Sequence, residues 1–252
     1  LVTLATPRTV YPIAAAKLTE PIHLPLPEDE AGRIDPSAAA SIKESDRSRG
    51  GYSAVLVGCG LGWSPGTVRF VEEFLLGERL NEPGGSWPVI IDADGLNNLS
   101  QSPDWWQRLT HEAVVTPHPG EMATLTGALA GDSTGVRGIQ DDRVASAREW
   151  AARWGVAVTL KGAYTVVAEP SGIVRVSPFA NPGLASGGTG DVLSGIIVGL
   201  MAQGLDPGRA AACGVYLHGL AGEKAVQSRG NAGTTASDLV DLLPGTIREI
   251  KG

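Results

Sequence analysis

Five short apolar or β-branched runs, at residues 1–6, 53–58, 88–92, 113–116 and 156–161, each stop at or beside Gly, Asp, Thr or Pro. Stretches with helical spacing lie between them, such as "SPGTVRFVEEFLL" at 64–76, where Ser64 suits the N-cap and Pro65 the first helical position. A second is 141–154, with acids at its start. Strands that alternate with helices need right-handed crossovers, so they predict a mostly parallel α/β sheet covered by helices on both faces. The rhythm breaks at 165–176: "TVVA", "EPSG", "IVRV" predicts two strands around a turn, hence an antiparallel hairpin at one edge. Three helices are expected after it, near 189–204, 207–228 and 235–250, and the polar stretch 131–140 reads as a loop. No internal repeat or low-complexity linker divides the 252 residues, so one domain over 1–252 is expected.

Composition narrows the partners. A formal net charge of -7, with Lys and Arg spread along the chain, offers no footprint for nucleic acid or an anionic membrane, which leaves a small molecule. Cys59 and Cys213 are far apart and lack metal-site spacing, so they read as packed thiols in a reducing cytoplasm. No apolar run is long enough for a membrane span, and no charged-then-apolar leader is visible. Because 1–6 already reads as a strand and no initiator Met is present, further residues are expected before Leu1.

Four clusters carry chemistry, and all fall at predicted strand exits or at a loop-to-helix step. In "GGTGD", Gly187 to Asp191, glycines let the backbone approach a ligand, and the apolar residues that follow repeat at helical spacing. A helix start of this kind suits an anion such as phosphate. Taken alone, Asp191 reads equally well as a helix cap, and the loop is not the G-x-x-x-x-G-K-[ST] phosphate loop. "VTPHPGE" fixes His118 between two prolines, with Glu121 just beyond; alone, these are a loop imidazole and a helix-start acid. "IDADGLNN" at 91–98 supplies acids and amides that turn chemistry would also explain, and "VGCGLG" at 57–62 is a weak glycine-lined strand end. Ligands of open α/β sheets bind at the carboxyl ends of strands, so the four together point to one site.

In this order, "IDADGLN", "VTPHPGE", "LKGAYTVV" and "NPGLASGGTGD" resemble the ADP- or ATP-dependent NAD(P)H-hydrate dehydratases, the carbohydrate-kinase-like half of the nicotinamide-hydrate repair system. The resemblance covers nearly the whole chain. It implies a ribokinase-like fold and a hydro-lyase that returns NADHX or NADPHX to NADH or NADPH at the expense of ADP or ATP, with Mg2+. It further implies that Lys161, Gly162, Ala163, Tyr164 and Thr165, with Gly188, Thr189 and Gly190, hold the nucleotide, and that Asp191 is the catalytic base. His118, Gly60, Gly62 and Asp191 would contact the hydrate, and Glu121 would belong to the magnesium and phosphate network. A cytoplasmic homo-oligomer, a tetramer by the same resemblance, and an epimerase partner or fused epimerase domain are implied as well. Family members open with a further strand and a Gly/Ala-rich loop and helix, to which nothing in the chain corresponds. The rivals are a ribokinase-like kinase for a hydroxymethylpyrimidine, thiazole or sugar alcohol, which usually carries Asn at the position of His118, and a non-catalytic nucleotide sensor.

Overall fold

The computed structural model describes residues 1–76, 87–127 and 135–251. Its main sheet consists of β3 (Val55–Val57), β4 (Val89–Ile91), β5 (Ala113–Val115), β6 (Ala157–Leu160), β7 (Val166–Ala168) and β8 (Val174–Val176), adjacent in that order, after a separate pair of strands, β1 (Thr3–Pro7) and β2 (Ile22–Leu26). β3 to β6 run parallel, while β7 and β8 are antiparallel to their neighbours, so the hairpin forms the expected edge. Successive residues of each strand feed opposite layers. Val89, Ile91, Val115, Val158 and Leu160 join Phe70, Phe74, Met122 and Trp154 in one core, whereas Ile90, Val114 and Ala157 join Leu193, Ile197, Met201 and Val215 in the other. Burial on both faces explains why these strands read as unbroken apolar runs.

Three expectations need correction. The run at 1–6 is only partly buried and lies outside the main sheet, paired in parallel with β2, which the sequence hid by placing Pro25 inside it. Part of the expected loop at 131–140 is the helix Val136–Asp141, while 131–134 lie outside the described residues. The cysteines are free but exposed, not packed. At 64–76 the chain does start a helix at Ser64, whose side chain accepts the Thr67 N–H in a capping box with Pro65 at the first position, but the run turns from α (Pro65–Val71) to π (Glu72–Leu76). Among the described residues, no helix is long and apolar enough to cross a membrane.

The register positions the site. Val57 pairs with Ile91, Ile91 with Val115 and Val115 with Val158, so the parallel strands end level and release Gly58, Asp92, Thr116 and, two residues further on, Lys161 at one edge of the sheet. Two glycines allow the strand exits to crowd there. A Cβ on Gly58 would lie 1.9 Å from the Asp92 carbonyl oxygen, and one on Gly95 would lie 2.8 Å from the Val57 carbonyl oxygen.

Candidate active site

The helix Thr189–Met201 starts at Gly188, whose φ of 84° is the left-handed conformation that favours glycine, and it has no side-chain cap. Asp191 lies in its first turn without capping it, so the N–H groups of Gly190 and Asp191 open from the helix start. Thr189 is turned the other way. Its hydroxyl donates to the carbonyls of Leu184 (2.6 Å) and Ser186 (2.8 Å), and its own carbonyl meets His218 Nε2 at 2.9 Å. It holds the glycine loop from within.

Burial keeps the His218 ring neutral, lowering its pKa to about 4 despite the hydrogen bond to Thr189, which acts the other way. The folded chain therefore refuses a proton that the unfolded chain accepts. Stability is complete above the ordinary histidine value of about 6.5 and falls as pH drops towards the folded value, by about 3 kcal/mol at about 1.4 kcal/mol per unit. His218→Gln should remove that component of the slope, which urea unfolding at pH 7 and pH 4.5 will measure; slopes equal to wild type would contradict it.

Across the site, His118 and Glu121 form a reciprocal cap for the helix Pro119–Leu125. His118 Nδ1 accepts the N–H groups of Gly120 (3.0 Å) and Glu121 (3.1 Å), and Glu121 Oε2 accepts the His118 N–H at 2.7 Å. With Nδ1 an acceptor, the hydrogen-bond network assigns the proton of the neutral ring to Nε2, 3.6 Å from Glu121 Oε1. The side chain is 57% exposed, so this N–H and a ring face remain open to a ligand.

Lys161 joins the two halves. Its N–H donates to the Pro117 carbonyl at 2.8 Å, and its Nζ is 2.7 Å from Asp92 Oδ1 and 3.5 Å from Glu121 Oε2. A Cβ built on Gly190 would lie 3.7 Å from the same nitrogen, so the ammonium faces the open helix start. Cys59, Asp92 and Asp191 bring their ligating atoms within 4.8 Å of one another. Although Cys59 is exposed as a residue, partial withdrawal of its sulfur from water, with the charges of Asp191 and Asp92 beside it, pushes the thiol up to about 12. A protonated thiol, with an Asp92 carboxylate already paired to Lys161, is a poor donor set for magnesium, which prefers oxygen and keeps several waters. Glu121 is the better candidate for an ion shared with nucleotide phosphates.

The loop after β6 has its own support. Arg143 donates from Nη2 to the Leu160 carbonyl at 2.8 Å and from Nη1 to the Ala163 carbonyl, and a Cβ on Gly162 would lie 2.9 Å from the guanidinium. Tyr164 sits above it at φ 54°, 55% exposed, with its N–H on the Phe179 carbonyl, and the Thr165 hydroxyl closes on the Gly162 carbonyl. Gly60 and Gly62 take φ of 68° and 72° with open space where a Cβ would be. The Gly62 N–H is not open to a ligand, because Asp94 Oδ2 accepts it at 2.8 Å.

The geometry thus draws Gly190, Lys161, Glu121 and His118 into a connected set and places Asp191 beside Asp92, leaving Thr189 as internal support. Asp92, Ser194, Arg143 and His218 were not singled out as site residues from the sequence. "IDAD" at a strand exit was the available signal for Asp92; the other three sit inside helices without any motif.

The chain is similar to several known proteins. A profile of the NAD(P)H-hydrate dehydratase family matches residues 11–245. A bifunctional NAD(P)H-hydrate repair enzyme from Moorella thermoacetica is 42% identical over 251 residues, which are 100% of this chain but 44% of that protein, so the chain spans less than half of this relative. The ADP/ATP-dependent NAD(P)H-hydrate dehydratase of Bacillus subtilis, co-crystallised with ATP and Mg2+, superposes with a TM-score of 0.75 at 28% identity, covering 98% of this chain and 78% of that one. A ribokinase-like superfamily protein from Enterococcus faecalis shares the fold, with a TM-score of 0.76 at 23% identity over 99% of this chain and 77% of that one. Motif order and the family profile agree, and the fold superposes on the solved relatives: the chain has a ribokinase-like fold and belongs to the NAD(P)H-hydrate dehydratase family.

Proposed function

We propose that the chain catalyses nucleotide-dependent dehydration of NADHX and NADPHX to NADH and NADPH. The observation that carries this reading is the uncapped start of the helix Thr189–Met201, which faces the Lys161 ammonium and has a carboxylate, Asp191, in its first turn. N–H groups at a helix start and a nearby ammonium stabilise charge on a phosphoryl group, and a carboxylate beside them can accept a proton.

Asp191 takes the proton of the hydrate's ring hydroxyl as that oxygen attacks the terminal phosphorus of the nucleotide, and the shortened nucleotide leaves. The new C–O–P oxygen makes a good leaving group. The ring nitrogen's lone pair expels it as phosphate, and loss of a ring proton restores the dihydronicotinamide. The N–H of Gly190 and the ammonium of Lys161 neutralise charge that builds on phosphoryl oxygens, as phosphoryl transfer requires. Gly162 to Thr165, supported by Arg143, hold the nucleotide, while His118, Gly60 and Gly62 meet the hydrate. Glu121 would help hold a magnesium ion, which would supply further charge neutralisation. The ADP/ATP-dependent name of the Bacillus subtilis protein supports the choice of nucleotide. The name "bifunctional" on the Moorella thermoacetica relative supports a second activity working beside this one.

The reading is tested by incubating the protein with NADHX, ADP or ATP, and Mg2+. Dihydronicotinamide absorbance should return only when a nucleotide is present, and no return with either nucleotide would reject it. His118 offers a finer check, because two effects separate there. His118→Ala removes both cap and ring and should cost about 1 kcal/mol of stability, whereas His118→Asn keeps a good cap and loses only the ring. Both should weaken the hydrate about tenfold or more while leaving nucleotide affinity nearly unchanged, as calorimetry with each ligand separately would measure. Equal weakening of the two ligands would remove His118 from the hydrate site.

A further inference from the structure

We propose that Asp92 is a positioning residue that works through Lys161, fixing that ammonium against the start of the helix Thr189–Met201 where a phosphate group would sit; the inference rests on the nucleotide reading of that helix start. Three donors fix the Asp92 carboxylate. Lys161 Nζ is 2.7 Å from Oδ1, the Ala93 N–H donates to Oδ1 at 2.8 Å, and the Ser194 hydroxyl donates to Oδ2 at 2.6 Å. Asp92 is 1% exposed and Ser194 is fully buried, so the bond between them is shielded from water. Ser194 belongs to the very helix whose start faces Lys161, so this bond ties the carboxylate to the phosphate-side element.

The backbone at this turn is itself constrained. Ala93 holds φ 50° and ψ -125°, which a residue with a side chain rarely adopts, and this geometry accompanies the Ala93 N–H bond to its neighbour's carboxylate. Such an outlier persists only where the surroundings over-determine it, and here the close strand exits at Gly58 and Gly95 do so.

The arrangement explains what a lysine needs in this place. A free ammonium on a flexible four-carbon stem wanders among many rotamers. An ammonium has three N–H donors; Asp92 takes one and Glu121, at 3.5 Å, lies near a second, which leaves a third for an oxygen of the ligand. Preorganised donors of this kind act without reorganising when charge develops. The ligand class that matches a fixed ammonium beside open helix N–H groups is a phosphate chain, not a neutral ring.

A double-mutant cycle tests this. Lys161→Met should lower kcat/KM for the nucleotide about 100-fold, the range for loss of one charge-stabilising donor. Asp92→Asn should lower it at least about tenfold, and the double variant should be no worse than Lys161→Met alone, because Asp92 would then have nothing to position. KM for the hydrate should stay within about twofold throughout. Calorimetry with ADP reads the same cycle where turnover is too slow. Because Asp92→Asn leaves Lys161 without its buried partner and can unfold the chain, Ser194→Ala provides the second arm: it keeps both charges, should give a smaller loss in the same direction, and should have no effect in the Lys161→Met background. Losses that multiply in the double variants, or that fall on the hydrate, overturn the positioning role. A wild-type protein that binds no ADP overturns the phosphate-site reading beneath it and this inference with it, a result distinct from multiplying losses in an active enzyme.

Discussion

Asp191→Asn is expected to lower kcat by about two to four orders of magnitude, the usual range for loss of a general base, while nucleotide affinity changes less than about threefold. The amide keeps the size of the side chain. It also leaves the helix start intact, because Asp191 makes no cap that the substitution could break. This separates the catalytic reading from the capping one, which the sequence alone left open. Turnover under saturating nucleotide and hydrate, beside ADP calorimetry, measures both halves of the expectation. Near-normal turnover would return Asp191 to an ordinary first-turn acid.

Gly190→Val is expected to weaken ADP or ATP by at least about 100-fold while the hydrate changes little, since a β-branched side chain blocks backbone approach to phosphate. The structure makes this variant a fair test. A Cβ at Gly190 would meet Lys161 Nζ at 3.7 Å, an ordinary contact, so the backbone at this position tolerates a Cβ. Gly188 would be a poor choice, because its φ of 84° strains any other residue. Calorimetry with nucleotide and hydrate separately should show the asymmetry, and equal losses would mean a collapsed loop.

Much of the fold was legible because the parallel strands β3 to β6 are almost wholly apolar, Thr159 apart, and end beside the polar or glycine residues Gly58, Asp92, Thr116 and Lys161. The hairpin was legible from "EPSG" between two β-branched runs, and the helix at 64–76 from Ser64 and Pro65, both local signals with local causes. β2 was not legible, because a strand interrupted by Pro25 carries no strand pattern, and its pairing with β1 is set by the parallel register between them. The change from α to π at Glu72 follows no residue type that marks it.

In the candidate site, the motifs could be read from the sequence, but the contacts that bring their residues together could not. Asp92 and Lys161 are 69 positions apart and meet only because β4 and β6 flank β5 in register; Ser194 reaches Asp92 from 102 positions away. Thr189 shows the converse. Its place in a phosphate-like loop suggested ligand contact, yet its hydroxyl is taken by two carbonyls of the preceding turn. Which member of a glycine-rich loop faces the ligand depends on how the loop closes, and that is a property of the tertiary structure.

The central claim is that a phosphorylated hydrate is made and broken within one site, so the fate of the phosphate is the most direct measurement. Protein, NADHX, ADP or ATP, and Mg2+ should release inorganic phosphate and dihydronicotinamide together, about one for one, with no phosphorylated organic product left at completion. Phosphate accumulating on a sugar, pyrimidine or thiazole alcohol while NADHX stays unchanged would contradict the account and identify the chain as a kinase.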